Sequence, residues 1–138
     1  MSAVATDDRL TALRAQAVEA MRQAYAPYSK FRVGAALLTD AGETFVGCNV
    51  ENASYPAGLC AERVALGAAV AAGHRKFVAI AICSEAAAPA PPCGICRQAL
   101  AEFGLDLIVE SAAPAGPVMR WSLAELLPHP FTPSSLHS

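Results

Sequence analysis

Charge is scarce in this chain. Only 16% of its 138 residues are Asp, Glu, Lys or Arg, the net charge is −2, and the pI lies near 5.9. A surface that tracks nucleic-acid phosphates needs a basic stripe; none is present, so no nucleic-acid partner is expected. No run approaches the roughly 18 apolar residues of a membrane span, so no membrane partner is expected either. The opening Met1-Ser2-Ala3-Val4-Ala5-Thr6-Asp7-Asp8 has neither the basic start nor the apolar stretch of a secretory signal. Five cysteines, an odd number, do not suit a disulfide framework and do suit a reducing compartment. The expected location is the cytoplasm, where the sequon Asn52-Ala53-Ser54 is fortuitous. Repeats and linkers are missing too, so residues 1–138 read as one catalytic domain. A chain of this length buries about 70% of its unfolded surface. With 54% hydrophobic residues, part of the apolar surface is expected to meet other copies of the chain.

What the chain does have is Cys60-Ala61-Glu62 and, further on, Pro92-Cys93-Gly94-Ile95-Cys96. Three thiolates hold one zinc ion and leave its fourth tetrahedral position for water, as in catalytic sites. Glu62 lies two residues from a ligand, within reach of that water as a general acid and base. Both segments read as helix starts, and helix N-termini favour thiolates. Zinc with three thiolates carries a formal charge of minus one, which discourages ionisation of its water. Arg63 is read as the cation that offsets it, and Arg97 as an ordinary exposed helix residue. Other readings compete. A redox Cys-x-x-Cys pair leaves Cys60-Ala61-Glu62 unexplained, and a zinc ribbon needs a second Cys-x-x-Cys that is absent. A closed four-cysteine site would need Cys48 or Cys83, both in apolar strand-like runs where small buried cysteines are common. His74, His129 and His137 lack ligand-like spacing and read as surface residues.

Periodicity supplies the fold. Thr6 caps a helix whose apolar face is Leu10, Leu13, Ala17, Met21 and Ala24, interrupted by Pro27. Val33 to Leu38 and Thr44 to Val50 form a hairpin around Asp40-Ala41-Gly42-Glu43. A helix from about Cys60 to Ala72 ends at Gly73, followed by a strand from Phe77 to Cys83 and a loop to Pro92. A helix from Gly94 to Phe103 stops at Gly104, and Leu105 to Glu110 reads as a strand. Ser111 to Pro117 reads as a loop, Val118 to Trp121 as an edge strand, and Ser122 as the cap of a short helix. This order predicts an α/β domain: a three-layer α/β/α sandwich around a mixed sheet of about five strands, with parallel crossovers. Ligands in such sheets sit beyond the strand ends, where the two cysteine-bearing helices begin.

With these residues in view, the chain resembles the short, homotetrameric cytidine deaminases, from about Ala24 to Phe131. The zinc signature is shared by deaminases generally. Pro27-Tyr28-Ser29-Lys30-Phe31, Val33-Gly34-Ala35-Ala36-Leu37, Asn49-Val50-Glu51-Asn52-Ala53-Ser54-Tyr55 and Leu126-Leu127-Pro128 carry the closer likeness. It implies zinc-dependent hydrolysis of cytidine, and of 2′-deoxycytidine, to the uridine product and ammonia in pyrimidine salvage. Zinc would be bound by Cys60, Cys93 and Cys96, with Glu62 catalytic. Asn49 and Glu51, two apart and on one face, would hold the ribose 3′-hydroxyl. Phe31 would stack on the pyrimidine, and main chain at Ala61 and Cys93 would meet the base's polar edge. Tyr55 and Phe131 would reach a neighbouring subunit's pocket in a homotetramer. A related deaminase of another aminopyrimidine nucleoside, such as blasticidin S, is the alternative. Pro91 and Pro130 depart from the family pattern, and neither is expected to touch a ligand.

Overall fold

Thr6 opens α1 (Asp7–Met21) as expected, its hydroxyl accepting the Arg9 N–H at 3.3 Å. The structure, a computed structural model, describes residues 4–136; His137 lies outside them. Leu10, Leu13, Ala17 and Met21 are buried, but the helix stops at Met21, so Ala24 lies beyond it. Strands β1 (Val33–Thr39) and β2 (Thr44–Cys48) pair antiparallel across a turn that Gly42 enters at φ +87°. After one 3-10 turn at Tyr55–Ala57 come α2 (Ala61–Ala71), β3 (Phe77–Ser84), α3 (Gly94–Ala101), β4 (Ile108–Ala112) and β5 (Val118–Ser122). The short helices α4 (Leu123–Leu126) and α5 (Pro133–Leu136) close the chain.

The sheet order is β2-β1-β3-β4-β5, and among these neighbours only β3 and β4 run parallel. Alternation along β1 sorts two cores. Ala36 and Leu38 join Ala79, Ala81 and Cys83 against α1, while Ala35 and Leu37 join Ile80, Ile82 and Val109 against α2 and α3. The three-layer mixed sheet predicted from sequence is therefore present. On the α1 side, Glu110 is 1% exposed between Arg14 at 2.5 Å and Arg120 at 2.7 Å, so its charge is consumed structurally.

Helix α3 ends at Ala101, two residues short of Phe103, and two strand boundaries differ for physical reasons. β4 runs Ile108–Ala112 instead of Leu105 to Glu110. Leu105 and Leu107 are apolar because they pack into the core from the preceding turn, and the ladder instead pairs Ser111 with Ile82 and Ala112 with Cys83. β2 ends at Cys48, and Val50 forms isolated bridges to Tyr25 and Leu59 that swing the next residues over the sheet end. His74 is a half-buried surface residue. Its ring packs 5.2 Å from Phe45 and its Nε2 lies 3.1 Å from Glu43, whereas His129 is exposed.

Glycine sets the helix-to-sheet distance. A Cβ on Gly34 would fall 2.0 Å from Ala17 O in α1, and one on Gly47 would fall 2.4 Å from Ala61 O and 2.5 Å from Ala65 N in α2. Gly47 thus seats the first turn of α2, which bears the zinc signature. Gly47→Ala is expected to cost at least about 2–3 kcal/mol, because the contact is backbone and cannot rotate away. Urea unfolding checks this, and an unshifted midpoint would contradict it.

Candidate metal and nucleoside site

Cys60 and Cys93 are the residues immediately before α2 and α3, and Cys96 lies one turn into α3. Their sulfurs lie within 4.8 Å of one another, the only such set of potential metal ligands among the described residues. Tetrahedral sulfurs about 2.3 Å from zinc stand roughly 3.8 Å apart. The Cys60–Cys93 Sγ separation is 3.8 Å, so the cradle fits the ion. Cys83 belongs to the core on the opposite sheet face, and Cys48 is half-buried on β2; burial pushes both thiols up, which keeps them protonated. Neither joins the cluster, which excludes the closed four-cysteine arrangement.

Cys60 ionises more readily than an ordinary thiol. The Cys96 thiol donates to it and Arg63 stands beside it, bringing it down to about 5, while the same coupling pushes Cys96 up. Arg63 Nη2 lies 3.9 Å from Cys60 Sγ, which places the guanidinium against the sulfurs, while its Nε is buried without a hydrogen-bond partner. Arg97 is not an exposed bystander. It is half-buried and donates to Pro92 O at 2.8 Å and Leu126 O at 2.9 Å, tying the cysteine loop to α4.

Glu62 is 5% exposed on the first turn of α2. Burial raises its pKa first, and the Cys60 charge raises it further, against its own N–H and the Cys96 thiol. An acid displaced towards neutrality beside a metal cradle is suited to taking up and releasing a proton.

Cys60, Cys93 and Glu62 line a cavity of about 440 Å³, with Cys96 buried behind them. Phe31, Asn49, Glu51 and Ala61 line it, and so does Tyr55, which was expected at a neighbouring subunit's pocket. Phe131 does not line the cavity of its own chain; it is 58% exposed and clamped by Gln98, whose Nε2 donates to its carbonyl at 2.7 Å. Pro91, expected to stay clear of any ligand, is part of the cavity wall. The loop before it is pinned by Ser111, whose hydroxyl donates to Ala90 O at 2.7 Å.

Two polar groups shape the far end. Asn49 Oδ1 accepts the Val33 N–H and its Nδ2 donates to Phe31 O, both at 2.8 Å, so most of this amide positions the β1 entry. Glu51 accepts the Tyr28 N–H at 2.9 Å, the Ser29 N–H at 3.1 Å and the Ser29 hydroxyl. The Ser29 hydroxyl chiefly lowers its pKa, so it is held as carboxylate. Ser29 was missed from sequence, since only the fold brings it to Glu51.

The family model described as cytidine and deoxycytidylate deaminase zinc-binding region matches residues 8–111. The chain belongs to that family. It is similar to cytidine deaminase of Halalkalibacterium halodurans, 44% identical over 88% of this chain and 93% of that protein. Cytidine deaminase of Sporosarcina psychrophila is 43% identical over 90% and 92% of the two chains. The crystal structure of cytidine deaminase from Burkholderia pseudomallei superposes with a TM-score of 0.85 at 50% identity, covering 88% of this chain and 98% of that one. Blasticidin-S deaminase of Bacillus cereus is more distant, 28% identical over 75% of this chain. The chain is thus an enzyme, a hydrolase acting on C–N bonds, and zinc is its metal. No described helix is long and apolar enough to cross a membrane.

Cys96→Ser is expected to lose bound zinc, while Cys83→Ala retains one ion per chain. Metal analysis after gel filtration decides this. Zinc kept by Cys96→Ser, or lost by folded Cys83→Ala, would break the ligand assignment.

Proposed function

We propose that the chain is a single catalytic domain that deaminates cytidine and 2′-deoxycytidine hydrolytically, in cytoplasmic pyrimidine salvage. The carrying observation is one cavity whose lining includes two of the three converging cysteines, the buried Glu62, and a Glu51 carboxylate fixed by three donors. That combination suits a small polar base joined to a hydroxylated sugar.

Zinc held by Cys60, Cys93 and Cys96 supplies Lewis acidity and an activated water. Arg63 balances the thiolate charge. Glu62 would carry both protons of the attacking water: the first to the ring nitrogen beside the amino-bearing carbon as the water oxygen bonds to that carbon, and the second from the new hydroxyl to the amino group, so that the C–N bond breaks, ammonia leaves and the oxygen remains as the carbonyl of uridine. The Ala61 N–H at the start of α2 lacks an intrahelical acceptor and, with main chain at Cys93, meets the base's polar edge. Phe31 stacks on the ring. Glu51 accepts the 3′-hydroxyl and the second Nδ2–H of Asn49 supports the sugar. A carboxylate has about four acceptor positions, and three on Glu51 are taken, so it engages one hydroxyl. Loss of the 2′-hydroxyl is then tolerated. Tyr55, 76% exposed, and Phe131 complete the pocket of a neighbouring subunit in a homotetramer.

A panel of cytidine, deoxycytidine, cytosine, cytidine monophosphate and blasticidin S, followed by ultraviolet absorbance on zinc-loaded protein, tests the substrate. Turnover of both nucleosides is expected, and turnover of blasticidin S alone would overturn the reading. Glu62→Ala should keep its zinc while kcat falls by about 10²–10⁴-fold. Near-normal kcat would remove Glu62 from the chemistry.

A further inference from the structure

We propose that Ser29 is a positioning residue that locks the sugar-binding carboxylate and the base-stacking ring into one unit. This rests on the assignment of Glu51 to the ribose. Three contacts converge on one residue. The Ser29 hydroxyl donates to Glu51 Oε2, accepts the Phe31 N–H at 3.0 Å, and its own N–H donates to Glu51 Oε1 at 3.1 Å. A hydroxyl offers one proton and two lone pairs, so a single side chain serves Glu51 as donor and Phe31 as acceptor. Glu51 and Phe31 otherwise stand on separate segments, and both line the cavity.

The local backbone is built for this. Lys30, between the two bonded residues, adopts φ +60°, a conformation that non-glycine residues enter at a cost. Its N–H is held by Ala26 O at 3.0 Å, and the turn it closes delivers the Tyr28 and Ser29 N–H groups to one carboxylate oxygen. Without the hydroxyl, Oε2 loses its protein donor and is free to rotate away from the sugar. Phe31 loses the contact that sets its N–H relative to that carboxylate. Ser29 itself is exposed and its side chain fills no core space, so its role is directional and not a packing role.

The test is a double-mutant cycle on zinc-loaded protein with cytidine and 3′-deoxycytidine. Ser29→Ala should lower kcat/KM for cytidine by roughly 10-fold or more, chiefly through KM, the scale of a charged hydrogen bond. In a Glu51→Ala background the same change should cost clearly less than in the parent enzyme, because the carboxylate contact is already gone and only the Phe31 N–H contact remains to be lost. Ser29→Thr, which keeps the hydroxyl, should restore cytidine turnover to within about threefold of the parent enzyme. Equal losses from Ser29→Ala with and without Glu51 would overturn the positioning role while leaving Glu51 at the sugar. If Glu51→Ala penalises cytidine and 3′-deoxycytidine equally, the ribose assignment itself fails, and the role of Ser29 fails with it.

Discussion

Two helices that begin side by side at one end of the sheet bring three sulfurs within 4.8 Å of one another, and the rest of the site is arranged around that convergence. Cys60 and Cys93 are helix caps, where the backbone dipoles favour negative charge, and Cys96 follows one turn later. The same first turn of α2 that carries Cys60 carries Glu62 inward and Arg63 towards the thiolate. Ligand, proton carrier and counter-charge therefore share four consecutive residues, and any shift of that turn moves all of them together. Gly47 governs that shift, because the α2 backbone rests where its Cβ would be.

The cavity divides into two electrostatic regimes. At the sulfur end, burial and thiolate charge push the Glu62 carboxyl up, so its proton is exchangeable. At Glu51, three donors draw the carboxyl down, so it stays charged. Two acids in one pocket thus take different roles, one as a proton carrier and the other as a fixed acceptor, and environment alone separates them.

Cys60 with Glu62, and Cys93 with Cys96, were legible because each pair is close in sequence, where helix geometry converts spacing into position; that the two pairs, 33 residues apart, converge was carried by the deaminase signature. The hairpin, α2, β3 and α3 were legible for the same reason: their periodicity and stop glycines are local signals, and Gly73 and Gly104 take φ +98° and +126° after the helices. The β4 boundary was not, since Leu105 and Leu107 are apolar for packing and not for pairing. Ser29 and Pro91 were missed because their roles depend on partners 22 or more residues away or on a loop path that no periodicity encodes. Arg97 looked like an exposed helix residue, yet its two carbonyl partners exist only once the loop and α4 fold over it.

X-ray absorption at the zinc edge of the purified enzyme measures the central arrangement most directly. The account predicts three sulfurs at about 2.3 Å and one lighter oxygen neighbour at about 2.0 Å. Four sulfurs, or an imidazole nitrogen in the fourth position, would contradict it.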